Sequence, residues 1–105
     1  MKVLYHIGET IGKETIVKKG FLKEDARPIV IESEEGKVFL DHLTYVGFFR
    51  MDGLGTMIKL QNGPDTIYLT VPRFYLEIGT GLAVVNYFAT KKLKRFLDSV
   101  LEGME

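Results

Sequence analysis

The chain of 105 residues contains no cysteine and no tryptophan, and its charges cancel: 14 Lys and Arg stand against 14 Asp and Glu. Without Cys there is no disulfide framework, no Cys-ligated zinc, no iron–sulfur cluster and no thiol nucleophile. A zero balance argues against a dedicated nucleic-acid binder, because such domains are usually basic. Side-chain amides are scarce, at Gln61, Asn62 and Asn86 only, while 27% of residues are charged. Few thermolabile residues with many charges suit a thermophile. Long apolar runs are missing too. The longest weakly polar stretch, Ile78 to Ala89, is interrupted by Gly79, Thr80, Gly81 and Asn86, and it falls short of the roughly 20 residues a membrane span needs. The N-terminal Met1 to Gly8 has too short an apolar stretch for a signal peptide. The expectation is one cytoplasmic domain, with no transmembrane segment, no nucleic-acid partner and no cofactor.

What is present is enough to build a core. Apolar residues make up 46% of the chain, which excludes a disordered tail. Short apolar runs between turn signals predict antiparallel strands over most of the length. They fall at Ile29 to Ser33, Val38 to Leu40, Tyr45 to Met51, Thr56 to Leu60 and Thr66 to Val71. Glu34-Glu35-Gly36, Asp52-Gly53 and Gln61-Asn62-Gly63-Pro64-Asp65 are the turns between them. In Thr66 to Val71 the aliphatic Ile67, Leu69 and Val71 alternate with Thr66, Tyr68 and Thr70, which puts the aliphatics on one face. Glu9 to Phe21, framed by glycines at 8, 12 and 20, is expected to hold one or two further strands.

The period changes at the C-terminus. Leu93, Phe96, Leu97, Val100, Leu101 and Met104 make one stripe of an amphipathic helix. Asn86 or Thr90 would cap its start and Gly103 would end it. A helix with one apolar stripe must lie on something, and the open end or face of the sheet is the natural partner. The predicted fold class is therefore mainly β with a C-terminal α-helix.

This order resembles the pleckstrin-homology-like barrel, in particular its prokaryotic branch. The residues that carry the resemblance are Gly20-Phe21-Leu22-Lys23, Arg27-Pro28-Ile29-Val30-Ile31, and Glu35 to Val46. The Met57 to Leu60 and Ile67 to Leu69 hairpin and the Lys92 to Leu97 helix add to it. Gly20 to Val46 is more narrowly similar to the first domain of archaeal taxis adaptors of the CheF type. The resemblance implies a bent two-sheet barrel of about seven antiparallel strands, capped by one helix. Two departures stand out. Phe96 takes the place of the helical Trp of eukaryotic members, and Glu24-Asp25 replaces the small polar pair that often precedes the Arg.

Catalytic and metal motifs fail on inspection. Gly8-Glu9-Thr10-Ile11-Gly12-Lys13 has one residue too few between its glycines for a P-loop, and Glu14 follows the lysine. Gly53-Leu54-Gly55 and Gly79-Thr80-Gly81 lack the third glycine of a dinucleotide turn. His6 and His42 are far apart. Asp41 and His42 are adjacent, so on a strand they would face opposite ways. Ser33 and Ser99 have no nucleophile-elbow glycines. The expectation is a protein that is not an enzyme.

Two groups remain as candidate recognition residues. The chain has seven Phe and five Tyr, more than a small barrel holds inside. Phe48 and Phe49 are consecutive, so one of them points outward on a strand. With Tyr45, Met51 and Tyr68 the outward ring forms a candidate apolar patch for a protein partner or a second copy, since exposed aromatics mark interfaces. The bland alternative is that a bulge or the docked helix buries both rings. The second group is Lys91, Lys92, Lys94 and Arg95, a cationic helix face opposite Leu93 and Leu97. It would bind an anionic ligand or contact anionic lipid weakly; the bland alternative is a solvated face, with Asp98 in reach of Lys94 and Arg95. Lys13, Lys18, Lys19, Lys23 and Arg27 are interleaved with Glu9, Glu14, Glu24 and Asp25, which weakens any field there. The leading expectation is an interaction or adaptor module. A small enzyme with a pocket near His6, Asp41, His42 or Tyr68 is the third reading.

Overall fold

A computed structural model of the chain describes residues 1–12, 17–51, 55–75, 83–85 and 87–104. The strands β1 (Lys2–Ile7), β2 (Lys18–Lys23), β3 (Val30–Ser33), β4 (Gly36–Phe39), β5 (Leu43–Met51), β6 (Gly55–Asn62) and β7 (Asp65–Thr70) form one antiparallel sheet. Its order is β4-β3-β2-β1-β7-β6-β5. The sheet curls into a half-barrel. A small second sheet pairs β8 (Pro72–Tyr75) with β9 (Ala83–Val85), and the helix α1 (Tyr87–Met104) follows. The mainly β fold with one C-terminal helix is thus the one the sequence pattern predicts. The two halves of the sheet are continuous, because β1 pairs with both β2 and β7.

β1 is the strand that sequence reading misses, and its environment explains why. Val3, Leu4 and Tyr5 are consecutive and all buried. A strand covered on both faces shows no polar–apolar alternation. β8 and β9 were not foreseen either. The Asp52-Gly53 turn and the capping position Asn86 lie outside the described residues, as do Lys13 and Glu14.

Paired residues on neighbouring strands share a face. The inner face carries Val3, Tyr5, Leu22, Ile31, Ile58, Leu60, Ile67 and Leu69, joined by Ile29, Leu40, Leu43 and Val71. Leu93 and Leu97 of α1 complete this core, with Phe96, Val100 and Leu101 packed at its margin. Replacing either buried leucine by Ala removes contacts worth roughly 2–5 kcal/mol. The alternation of Ile67, Leu69 and Val71 is as expected, yet Tyr68 and Thr70 on the other face are buried too.

Polar side chains tie the pieces together. Gly63 has φ 57° and opens the two-residue loop between the paired Asn62 and Asp65, a position where Gly takes positive φ without a steric penalty. The buried Asn62 amide donates to the Phe39 carbonyl and accepts from the His42 backbone N–H, both at 2.9 Å. It thereby fixes the β4–β5 connection against the β6–β7 hairpin. Thr90 is not a helix cap, contrary to expectation. It is fully buried inside α1, where its hydroxyl accepts the Val71 N–H and meets the Thr70 hydroxyl. Gly103 lies within the last turn of α1 rather than beyond it. No helix among the described residues is long and apolar enough to cross a membrane.

Candidate interaction surface

The five candidate aromatic and apolar residues do not form one patch. Phe48 pairs with Ile58 and Phe49 with Met57, so the two rings stand on opposite faces of β5. Phe49 lies on the outer face in a small second cluster with Met57, Tyr68 and Ile11. Its ring meets Tyr68 edge to face at a centroid distance of 5.2 Å. Tyr68 is 3% exposed, and its hydroxyl donates to the Glu9 carbonyl at 3.2 Å. The expected outward Tyr68 is therefore a packed side chain, because the loop after β1 folds back over it. His6 stacks on the same ring, and Lys59 approaches it at 5.9 Å. The side chain of Met51 lies outside the described residues.

Tyr45 and Phe48 remain accessible, at 50% and 48%. Tyr45 lies on the outer face across Gly47, whose missing Cβ leaves room for the phenol ring. Phe48 sits at the inner rim beside α1, with the Lys94 ammonium 4.9 Å from its ring centroid. Both belong to a nine-residue strand at the end of the sheet.

The cationic helix face divides in the same way. Lys94 is drawn into the fold: besides Phe48, its Nζ pairs with Asp98 Oδ2 at 2.8 Å. Lys91, Lys92 and Arg95 are exposed. They have no ion-pair partner among the described residues.

The N-terminal cations are mostly matched. Lys18 donates to Glu35, and that hydrogen bond holds its pKa above the ordinary lysine value. Lys23 and Lys37 both reach Glu32, at 3.1 and 3.6 Å. The hydrogen bond from Lys23 is the main reason that the Glu32 carboxyl titrates below the ordinary range. The Arg27 guanidinium donates to the Glu24 and Ala26 carbonyls. Lys18, Lys19, Ser33, Glu34 and Glu35 line a cleft of about 380 Å³. Two lysines against two glutamates give it no net charge.

The residues considered for chemistry fall in separate places, His6 against Tyr68 and Asp41 beside His42. Asp41 and His42 lie in the β4–β5 loop, not on a strand, and their side chains approach to 3.7 Å rather than diverging. His6 Nε2 is 3.1 Å from the Thr10 carbonyl oxygen. The Ser33 hydroxyl accepts from Tyr5 at 2.7 Å, and Ser99 donates to the Arg95 carbonyl. None of His6, Asp41, His42 and Tyr68 lines the cleft. Among the described residues no three His, Asp or Glu side chains gather as a metal site would need.

The aromatic surface that sequence reading missed is elsewhere. Phe21 on β2 and Phe39 on β4 are 48% and 47% exposed, on the outer face of the sheet. The signal is present in the sequence only weakly: Lys19, Phe21 and Lys23 alternate with Gly20 and Leu22. Pairing register is needed to show that Lys37 and Phe39 join them. Comparison with known proteins returns no matching family model, curated protein or solved structure.

Proposed function

We propose that this chain is a non-catalytic interaction module, an adaptor-type domain that binds a protein partner, or a second copy of itself, through exposed aromatic side chains. One observation carries this reading. Phe21, Phe39, Tyr45 and Phe48 all stand on regular strands, and each is about half exposed. Burying such rings against a partner recovers roughly 25 cal/mol per Å² of apolar surface, and interface cores are enriched in aromatic residues. The strand order and terminal helix support kinship with the pleckstrin-homology-like domains. A taxis-adaptor role is the narrower form of the reading, tested by capture of response-regulator and motor components.

The general test compares the wild-type chain with two double variants, Phe21→Ser/Phe39→Ser and Tyr45→Ser/Phe48→Ser, each shown to be folded by circular dichroism. Affinity capture and sedimentation should reveal a bound protein or an oligomer that at least one variant loses. A wild-type monomer that captures nothing beyond what both variants capture overturns the reading.

A second reading rests on Lys91, Lys92 and Arg95, which are exposed and without ion-pair partners among the described residues. They offer a site for an anionic ligand or an anionic membrane surface. Flotation with vesicles containing phosphatidylserine, at low and high salt, tests it. Binding indifferent to salt, or no binding at low salt, rejects it.

A further inference from the structure

The overall charge is zero, but charge is not spread evenly over the folded chain. On the outer face of the seven-stranded sheet, register brings Lys2, Lys19, Lys23 and Lys37 together on the β1–β4 half. Glu32 is the single carboxylate that the described strand residues add to this face, and Lys23 and Lys37 share it. Among the described residues, Glu24 and Asp25 lie in the turn after β2, Glu34 and Glu35 lie in the β3–β4 turn, where they line the cleft with Lys18 and Lys19, and Asp98 and Glu102 lie on α1.

Within this basic field lie the two exposed rings. Phe21 pairs with Glu32 and Phe39 with Val30, which is itself buried between them. The rings are two strands apart, about 10 Å across the sheet. The result is an apolar diagonal, Phe21–Val30–Phe39, flanked by lysines.

From this juxtaposition the geometry points to a docking surface on the outer face of β2–β4, with Lys2 of β1 at its edge, for an acidic polypeptide segment that also carries apolar side chains. The inference rests on the interaction-module reading and names the partner chemistry and the surface. Charge complementarity selects the partner. Lys2, Lys23 and Lys37 attract carboxylates, and the rings take the segment's apolar side chains in the gaps between them. The one carboxylate that the described strand residues put on this face is already shared by two ammonium groups. A second copy of this chain fits less well, because it would bring the same lysines face to face.

The experiment is a titration of the isotope-labelled full chain followed by backbone amide shifts. The probe is a synthetic peptide of alternating Glu and Leu, compared with a Lys–Leu counterpart, an oligo-dT strand and phosphatidylserine vesicles. The expected result is that Glu–Leu peptide shifts the amides of β2–β4 and binds at least ~5-fold more weakly in high salt, since screening shortens the reach of exposed charges. Phe21→Ser/Phe39→Ser should weaken it about 10-fold or more while the chain stays folded. Lys2→Glu, a change at a residue with no ion pair among the described residues, should weaken it as well. No binding at low salt, equal binding of the Lys–Leu peptide, or tighter binding of oligo-dT or vesicles at the same amides overturns the inference. Concentration-dependent shifts at these amides without peptide also overturn it, in favour of self-association. If protein capture depends on Tyr45 and Phe48 but not on Phe21 and Phe39, this surface is refuted and the interaction-module reading stands.

Discussion

The hydroxyl of Thr90, in the first turn of α1, accepts the backbone N–H of Val71 at 3.1 Å. Val71 follows β7 directly, so this bond fixes the helix start against the end of a core strand. Both groups are buried. Thr90→Val keeps the shape but strands the Val71 N–H without an acceptor, an expected loss of about 1–3 kcal/mol. Thr90→Ser keeps the bond and should lose less. Urea unfolding of the two variants checks the difference.

Asn62 predicts a similar asymmetry. Its carbonyl oxygen accepts from His42 N–H and its amide nitrogen donates to the Phe39 carbonyl. Asn62→Asp retains the acceptor, removes the donor and sets a negative charge beside a carbonyl oxygen. It should destabilise at least as much as Asn62→Ala, with a loss of about 1–3 kcal/mol at neutral pH. The Asp variant should recover as the pH falls and the carboxyl gains a proton to donate. Thermal midpoints measured across the acid range test this.

Both ties join residues distant in sequence. The turn at Asn62 was legible, because Asn-Gly-Pro-Asp is strong local punctuation. The clamp was not, since it joins Asn62 to residues 20 and 23 positions away. The stripe of α1 was legible because one face is buried and one is wet. β1 was not, because both of its faces are covered at Val3, Leu4 and Tyr5. The same distinction governs the surface. Adjacency showed that Phe48 and Phe49 must part, but only packing shows that Phe49 joins Tyr68 under the β1 loop. Phe21 and Phe39 look unrelated in sequence until β3 is placed between them.

Gly20 gives a steric prediction. It sits on the inner face of β2 opposite Val3. A Cβ there would lie 2.9 Å from both Ile31 Cγ2 and Tyr5 Cε1 and 3.2 Å from the Glu32 carbonyl oxygen. The Tyr5 ring cannot swing away freely, since its hydroxyl is bonded to Ser33. Gly20→Ala should therefore destabilise by about 1–3 kcal/mol as an overpacked site. Gly12→Ala, with open space around it, is the control.

The ion pairs of Glu32 and Lys18 contribute to the pH dependence of stability. The Glu32 carboxyl titrates below the ordinary carboxylate range, chiefly through its hydrogen bond from Lys23. Its contribution is present above that range and is lost as pH falls through the depressed folded value. Lys18 titrates above its ordinary 10.5, chiefly through Glu35. Its contribution is complete below that value and is lost as pH rises through the raised one. Glu32→Gln should flatten the acid limb and Lys18→Met the alkaline limb of thermal midpoint against pH. Both effects should be small and should shrink in high salt, because Lys18 and Glu35 are exposed and Glu32 is partly so.

Lys94 separates a structural cation from the free ones on the same helix. Its ammonium lies over the Phe48 ring and pairs with Asp98. Lys94→Met keeps the apolar stem and removes both interactions, for an expected loss of about 0.5–1.5 kcal/mol. Lys91→Ala, Lys92→Ala and Arg95→Ala remove no ion pair among the described residues and should each leave stability within about 0.5 kcal/mol. The order should reverse for any binding to phosphatidylserine vesicles. There the Lys91/Lys92/Arg95 triple variant should lose salt-sensitive affinity and Lys94→Met should lose little. If Lys94→Met alone abolishes vesicle binding without unfolding the chain, Lys94 is a ligand contact and its place against Phe48 is part of that site.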